Sequence, residues 1–133
     1  MALAIAAGAA DLSKGEVWSV RPVSVSLTGN GASIQNSAPV VVDQYLTPMN
    51  LGLYFKDSGS TTVFKVQYSL DDPFGSYATD YNTNGVWFDH ASLVTLTANA
   101  SGSQTTPVRA VRLVASASGT DTGTLTVVQA GAR

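Results

Sequence analysis

The stretch TTVFKVQYSL, residues 61–70, limits the fold more than any other part of the chain. Phe64, Val66, Tyr68 and Leu70 alternate with Lys65, Gln67 and Ser69. That period of two is the mark of a strand with one face buried. It predicts Phe64, Val66, Tyr68 and Leu70 inward and the three polar residues outward. Asp71, Asp72 and Pro73 follow at once, and Asp-Pro is a strong turn signal that ends the strand.

The same period recurs after residue 16. VSVSL sets Val23, Val25 and Leu27 against Ser24 and Ser26, and GNG at 29–31 supplies turn residues. PVVV, residues 39–42, reads as a short apolar strand with Pro39 at its first position. NLGLYFKD alternates Leu51, Leu53 and Phe55 with Gly52, Tyr54 and Lys56, and DSGS turns the chain. Residues 71–85 read as a loop, and strand character returns in VWF (86–88) and SLVTLTA (92–98). NASGSQTT reads as a turn-rich connection. A strand then begins at Pro107 in PVRAVRLVAS, SGTDTG turns, and TLTVVQAG puts Leu125, Val127 and Gln129 on one face. About eight evenly spaced strands without an amphipathic helix predict an all-β fold. The expected architecture is an antiparallel β-sandwich, jelly-roll-like, with a closed barrel as the alternative.

The chain has 133 residues, enough for one ordinary domain, taken here as residues 16–133. Residues 1–15, MALAIAAGAADLSKG, read as an extended apolar arm. No Lys or Arg precedes the apolar run, which is short and diluted by Gly8; this fits neither a secretory signal nor a spanning helix of ~20 apolar residues. Hydrophobic residues make up 44%, which suffices for a core. Charged residues are only 12%, about half the usual ~25%. Ser, Thr, Ala, Gly and Asn take their place. Such a surface fits a protein covered by copies of itself or by a larger partner, and equally a secreted β-domain. The net charge is −2 and there is no run of Lys or Arg, which disfavours nucleic acid as a partner. No cysteine is present, so disulfides, zinc–thiolate sites and thiol nucleophiles are excluded.

The candidate chemistry is sparse. Adjacent residues of an extended chain point to opposite faces, so Asp71 and Asp72 do not converge as a glycosidase pair must. DYNTNG places Asp80, Asn82 and Asn84 at alternate positions before Gly85, the first half of a calcium loop. The acid that would complete the loop falls on Ala91, and the other reading is an Asn-Gly turn. His90 is the only histidine and has no nucleophile elbow to serve. Arg109 and Arg112, three apart, are expected on opposite faces of a strand, with one at a sheet edge or subunit contact. The NAS triplet at 99–101 matches a glycosylation acceptor and reads as a turn. Trp18, Trp87, Tyr77 and Tyr81 are the candidates for an aromatic sugar platform; the alternative is core packing.

VQYSLDDPF, then VWFDHASL, PVRAVRLVAS, an SGT turn and a final TLTVVQAG together resemble a family of small tailed-bacteriophage virion proteins. The resemblance covers residues 63–131. It implies a capsid decoration or cement protein on the outer surface of the virion, assembled in the host cytoplasm. The implied partner is the major capsid protein, with copies forming a dimer or trimer on a capsid symmetry axis. Partner contacts are expected from Leu3 and Ile5 in the arm, from Asp72, Phe74, Tyr77 and Tyr81 in the 71–85 loop, and from Arg109. Catalytic residues, cofactor and metal are not expected. The competing reading is a tail or fibre adhesin that binds host-surface glycans.

Overall fold

The computed structural model describes residues 22–43, 47–74 and 80–132. The arm and its Leu3 and Ile5, together with Trp18 and Tyr77, lie outside the described residues.

Two antiparallel sheets face each other. The first has the order β1 (Val23–Thr28), β9 (Thr122–Ala132), β4 (Thr47–Asp57), β7 (Ala100–Gln104). The second runs β2 (Gln35–Asn36), β8 (Ala110–Ala115), β5 (Phe64–Ser69), β6 (Trp87–Asp89), and β3 (Val40–Val41) also pairs with β8. Since β2 and β3 are two pieces of one line along β8, the sandwich has eight strand positions. Successive strands alternate between sheets over most of the chain, and this interleaving is the two-Greek-key order of a jelly roll. Among the described residues no helix is long and apolar enough to cross a membrane.

The alternation identified in the sequence builds the core. Leu51, Leu53 and Phe55 of β4, Phe64 and Val66 of β5, and Leu125 and Val127 of β9 are buried between the sheets. Phe55 and Phe64 meet ring to ring across the sheets at 5.1 Å. Gly123 faces these two rings, and a Cβ there would lie 2.6 Å from Phe55 and 2.9 Å from Phe64. On the outer face of the first sheet, Ser24, Ser26 and Thr28 bond hydroxyl to hydroxyl with Thr126, Thr124 and Thr122, at 2.8, 3.0 and 2.9 Å. These cross-strand pairs explain how an exposed face manages with so little charge.

Four expectations are corrected. The strand at 61–70 ends one residue early: Ser69 is fully buried and Leu70 is exposed. Ser69 keeps to the outer face with Lys65 and Gln67 but is buried there; its hydroxyl accepts the amide of Asp71 and its carbonyl accepts the amide of Arg109. Of PVVV, only Val40 and Val41 form strand, and Val41 is exposed while Val40 and Val42 are buried. SLVTLTA is not a strand; Leu93 and Leu96 plug the core from an irregular segment, docked on β5 by paired backbone bonds between Phe64 and Leu96. The supposed connection NASGSQTT holds the edge strand β7 instead.

Candidate partner-binding site

The described parts of the connection between β5 and β6, residues 70–74 and 80–86, lie at one end of the second sheet, with Asn82 set against Arg112 on its outer face. The two acids that begin it do different jobs. The Asp71 carboxylate accepts the amide of Val86 at 2.6 Å, which closes the connection onto its own start. Asp72 accepts the amide of Phe74 at 2.9 Å in a tight side-chain turn. It also pairs with the Arg109 guanidinium at 3.0 Å, joining this connection to the one before β8. Two carboxylates aimed at separate backbone amides terminate a strand; they are not an acid–base pair.

DYNTNG forms one helical turn, α1 (Tyr81–Asn84), in which Gly85 donates to the carbonyl of Tyr81. The Asn82 side chain donates to Ser37 O at 2.9 Å and accepts from Arg112 at 3.0 Å. That oxygen already faces a cation, so it cannot also serve a calcium ion. Among the described residues there is no group of three His, Asp or Glu suited to a metal.

Arg112 is the anchor. It is buried on the outer face of β8, and burial lowers its pKa from the ordinary value. Its Nε and Nη2 donate to Gln67 Oε1 at 3.0 and 2.8 Å, and its Nη1 donates to Asn82 O and Oδ1, both at 3.0 Å. The guanidinium lies 4.2 Å from the centre of the Trp87 ring. Its partners are thus neutral amide oxygens and an aromatic face, with no carboxylate in ion-pair range among the described residues.

This packing removes two candidates from the surface. Tyr81 is only 6% exposed; its hydroxyl donates to Asp71 O at 2.8 Å and its ring stands 5.2 Å from Trp87. Burial, with added repulsion from Asp71 and Asp72, pushes its phenol pKa up. Tyr81 is therefore an internal brace, and with Trp87 covered by Arg112 no aromatic platform is presented by these two rings. The expected contacts Asp72, Phe74 and Arg109 do come together at one end, with Phe74 75% exposed.

Sequence reasoning missed three further exposed apolar residues in and beside this connection. Leu70 and Val86, 56% and 54% exposed, flank the last pair of the β5–β6 ladder, Ser69–Trp87, and Phe88 is 46% exposed on β6. Four of the nine exposed large hydrophobic residues found among the described residues thus lie between Leu70 and Phe88. The available signal was the sequence DD-P directly after Leu70, which stops the strand before that side chain can be covered.

His90 is a structural residue. It is 5% exposed, its Nδ1 accepts the amides of Ser92 and Leu93 at 3.1 and 3.2 Å, and its Nε2 meets Ser103 O at 2.9 Å. Two amides on Nδ1 leave Nε2 as the protonated nitrogen, donating to Ser103 O. Both ring nitrogens are engaged in holding the segment after β6 against β7.

The residues define a jelly-roll β-sandwich with four exposed apolar side chains in and beside its β5–β6 connection. No protein-family model matches this chain, and no curated protein matches it. Among solved structures, the crystal structure of SPBc2 prophage-derived protein YomS is similar at 17% identity and a TM-score of 0.49, over 86% of this chain and 100% of that one. A likeness of that size carries no argument about what this chain does.

Proposed function

We propose that this chain is a phage decoration protein that binds the outside of a capsid and holds neighbouring major capsid subunits together. The observation that carries the reading is the exposed apolar set Leu70, Phe74, Val86 and Phe88, four of the nine exposed large hydrophobics among the described residues, in and beside one connection. Exposed apolar side chains gathered in one stretch of a small domain mark a docking surface. The Asp72–Arg109 pair beside Phe74 supplies a polar rim. The motif resemblance across residues 63–131 names the partner class, and jelly rolls recur in viral shells, an analogy of fold only. The proposed role is structural and non-catalytic, in keeping with a sole histidine whose two nitrogens are spent on backbone groups.

The mechanism is clamping. Copies that bind only the mature lattice stabilise it by mass action, and repetition over the shell adds avidity. Copies related by a capsid axis would present the same patch to each neighbouring subunit.

The test adds purified protein to capsids that lack it and follows sedimentation together with resistance to heat. The expected result is co-sedimentation and a higher disruption temperature, both reduced by Phe74→Asp. Absence of binding and of any gain in shell stability overturns the proposal. Deleting residues 1–12 separately measures the contribution of the arm.

A further inference from the structure

The edges of the two sheets are not paired with each other on the side of β6 and β7. There β6, the edge of the second sheet, and β7, the edge of the first, stand apart, bridged at the bond from His90 to Ser103 O. Between them opens a cleft of about 480 Å³. Pockets that hold small ligands span roughly 300–1,000 Å³, so the space suits one or two sugar rings.

We propose that this cleft binds a neutral sugar residue. Its lining includes Tyr68, Ser92, Ser103, Gln104, Thr105 and Thr106. Four Ser and Thr hydroxyls, the Tyr68 phenol and a carboxamide offer donors and acceptors in both directions, which is what vicinal sugar hydroxyls require. Gln104 gives one N–H to Thr106 O at 3.1 Å, and its Oε1 has no protein partner among the described residues. Tyr68 supplies the aromatic surface against which the C–H face of a pyranose packs, and its own ring rests on Phe88 at 5.8 Å.

The charge balance selects a neutral ligand. The cleft is lined by no Lys or Arg, so it lacks the partner that a phosphate or an acidic sugar needs. Its one acid, Asp89, is already paired with Lys65 at 3.1 Å and bonded by Gln67 at 2.8 Å. The chemistry selects binding over turnover, since His90 beside the cleft has neither nitrogen free to act as a base. The site does not depend on the capsid reading, whose test turns on Phe74, a residue outside the cleft lining.

The test titrates isotope-labelled protein with glucose, galactose and N-acetylglucosamine, and with glucuronate as the charged counterpart, while recording amide shifts. The expected result is saturable shifts at Ser92 and at 103–106 with at least one neutral sugar, in the millimolar range typical of single-sugar sites. Gln104→Ala and Thr105→Val, both with the native dispersion of signals, should weaken that binding about tenfold, or about 1.4 kcal/mol. No saturable shift with any neutral sugar overturns the proposal. So does binding unchanged in both variants, or tighter binding of glucuronate than of its neutral counterpart.

Discussion

Single atoms decide much of the stability of this fold. Gly123 is a glycine because Phe55 and Phe64 occupy the space a side chain would need. Gly123→Ala forces one ring off its packed position, and overpacking of this kind costs about 1–3 kcal/mol. Urea unfolding should show a lower midpoint with an unchanged slope. His90→Ala strips the partner from two amides and a carbonyl at once. The expected loss is roughly 2–4 kcal/mol, read from the same experiment, since each buried group left unbonded costs about 1–3 kcal/mol and water recovers part of it. A change below about 0.5 kcal/mol, the level of ordinary surface substitutions, would refute the structural role given to His90.

Elements carry the next level of order. The connection holding α1 is latched to β8 and β5 by Arg112, whose fork spans Gln67 and Asn82 while its plane covers Trp87. Lysine keeps the charge but has neither fork nor plane. Arg112→Lys should therefore cost about 1.5–3 kcal/mol, the range for hydrogen bonds to charged groups. It should also speed amide exchange across residues 80–86 more than in the core strands. The β5–β6 edge has its own pH signature. Hydrogen bonds from Gln67 and Lys65 hold the Asp89 carboxyl below its ordinary value. A depressed carboxyl contributes stability above the unfolded-state pKa and loses it as pH falls through the folded-state pKa. Asp89→Asn should flatten the acid side of the stability profile. The effect is small and shrinks with added salt, because the pair is about half exposed. An unchanged acid limb at low salt would count against it.

The elements legible in the sequence were those whose side chains alone satisfy the period of two. β4, β5 and β9 bury residues at every second position, so their faces were readable. β7 was not, for a reason visible in one contact. Gly102 faces inward on β7, and a Cβ there would lie 3.1 Å from Leu93. Leu93, from the irregular segment before it, fills the room that the strand's own side chain would take. The strand therefore looked like a turn and the plug looked like a strand. The end of β5 was misjudged for a related reason, since Ser69 is buried by its bonds to Asp71 and Arg109 and not by hydrophobicity.

For the whole molecule, the jelly-roll order was only a matter of character in the sequence, because strand order depends on contacts between distant segments. Of the expected contact set, Asp72, Phe74 and Arg109 do meet at one end, while Tyr81 turned inward because the polar connection brought its own aromatic and arginine partners. The same long-range wiring has a consequence for how the chain comes to be folded. β9 lies between β1 and β4, so the first sheet has no centre until residues 122–132 are in place. The Ser24–Thr126 pair already joins residues 102 apart. A chain cut after Asp121 should show no native sheet signal by circular dichroism, and a persistent native spectrum would contradict this. Contacts so distant make for slow assembly. During synthesis, β1 and β4 must wait with open edges and uncovered apolar faces, so crowding on the ribosome rather than the stability of the finished sandwich sets the main hazard of misassembly.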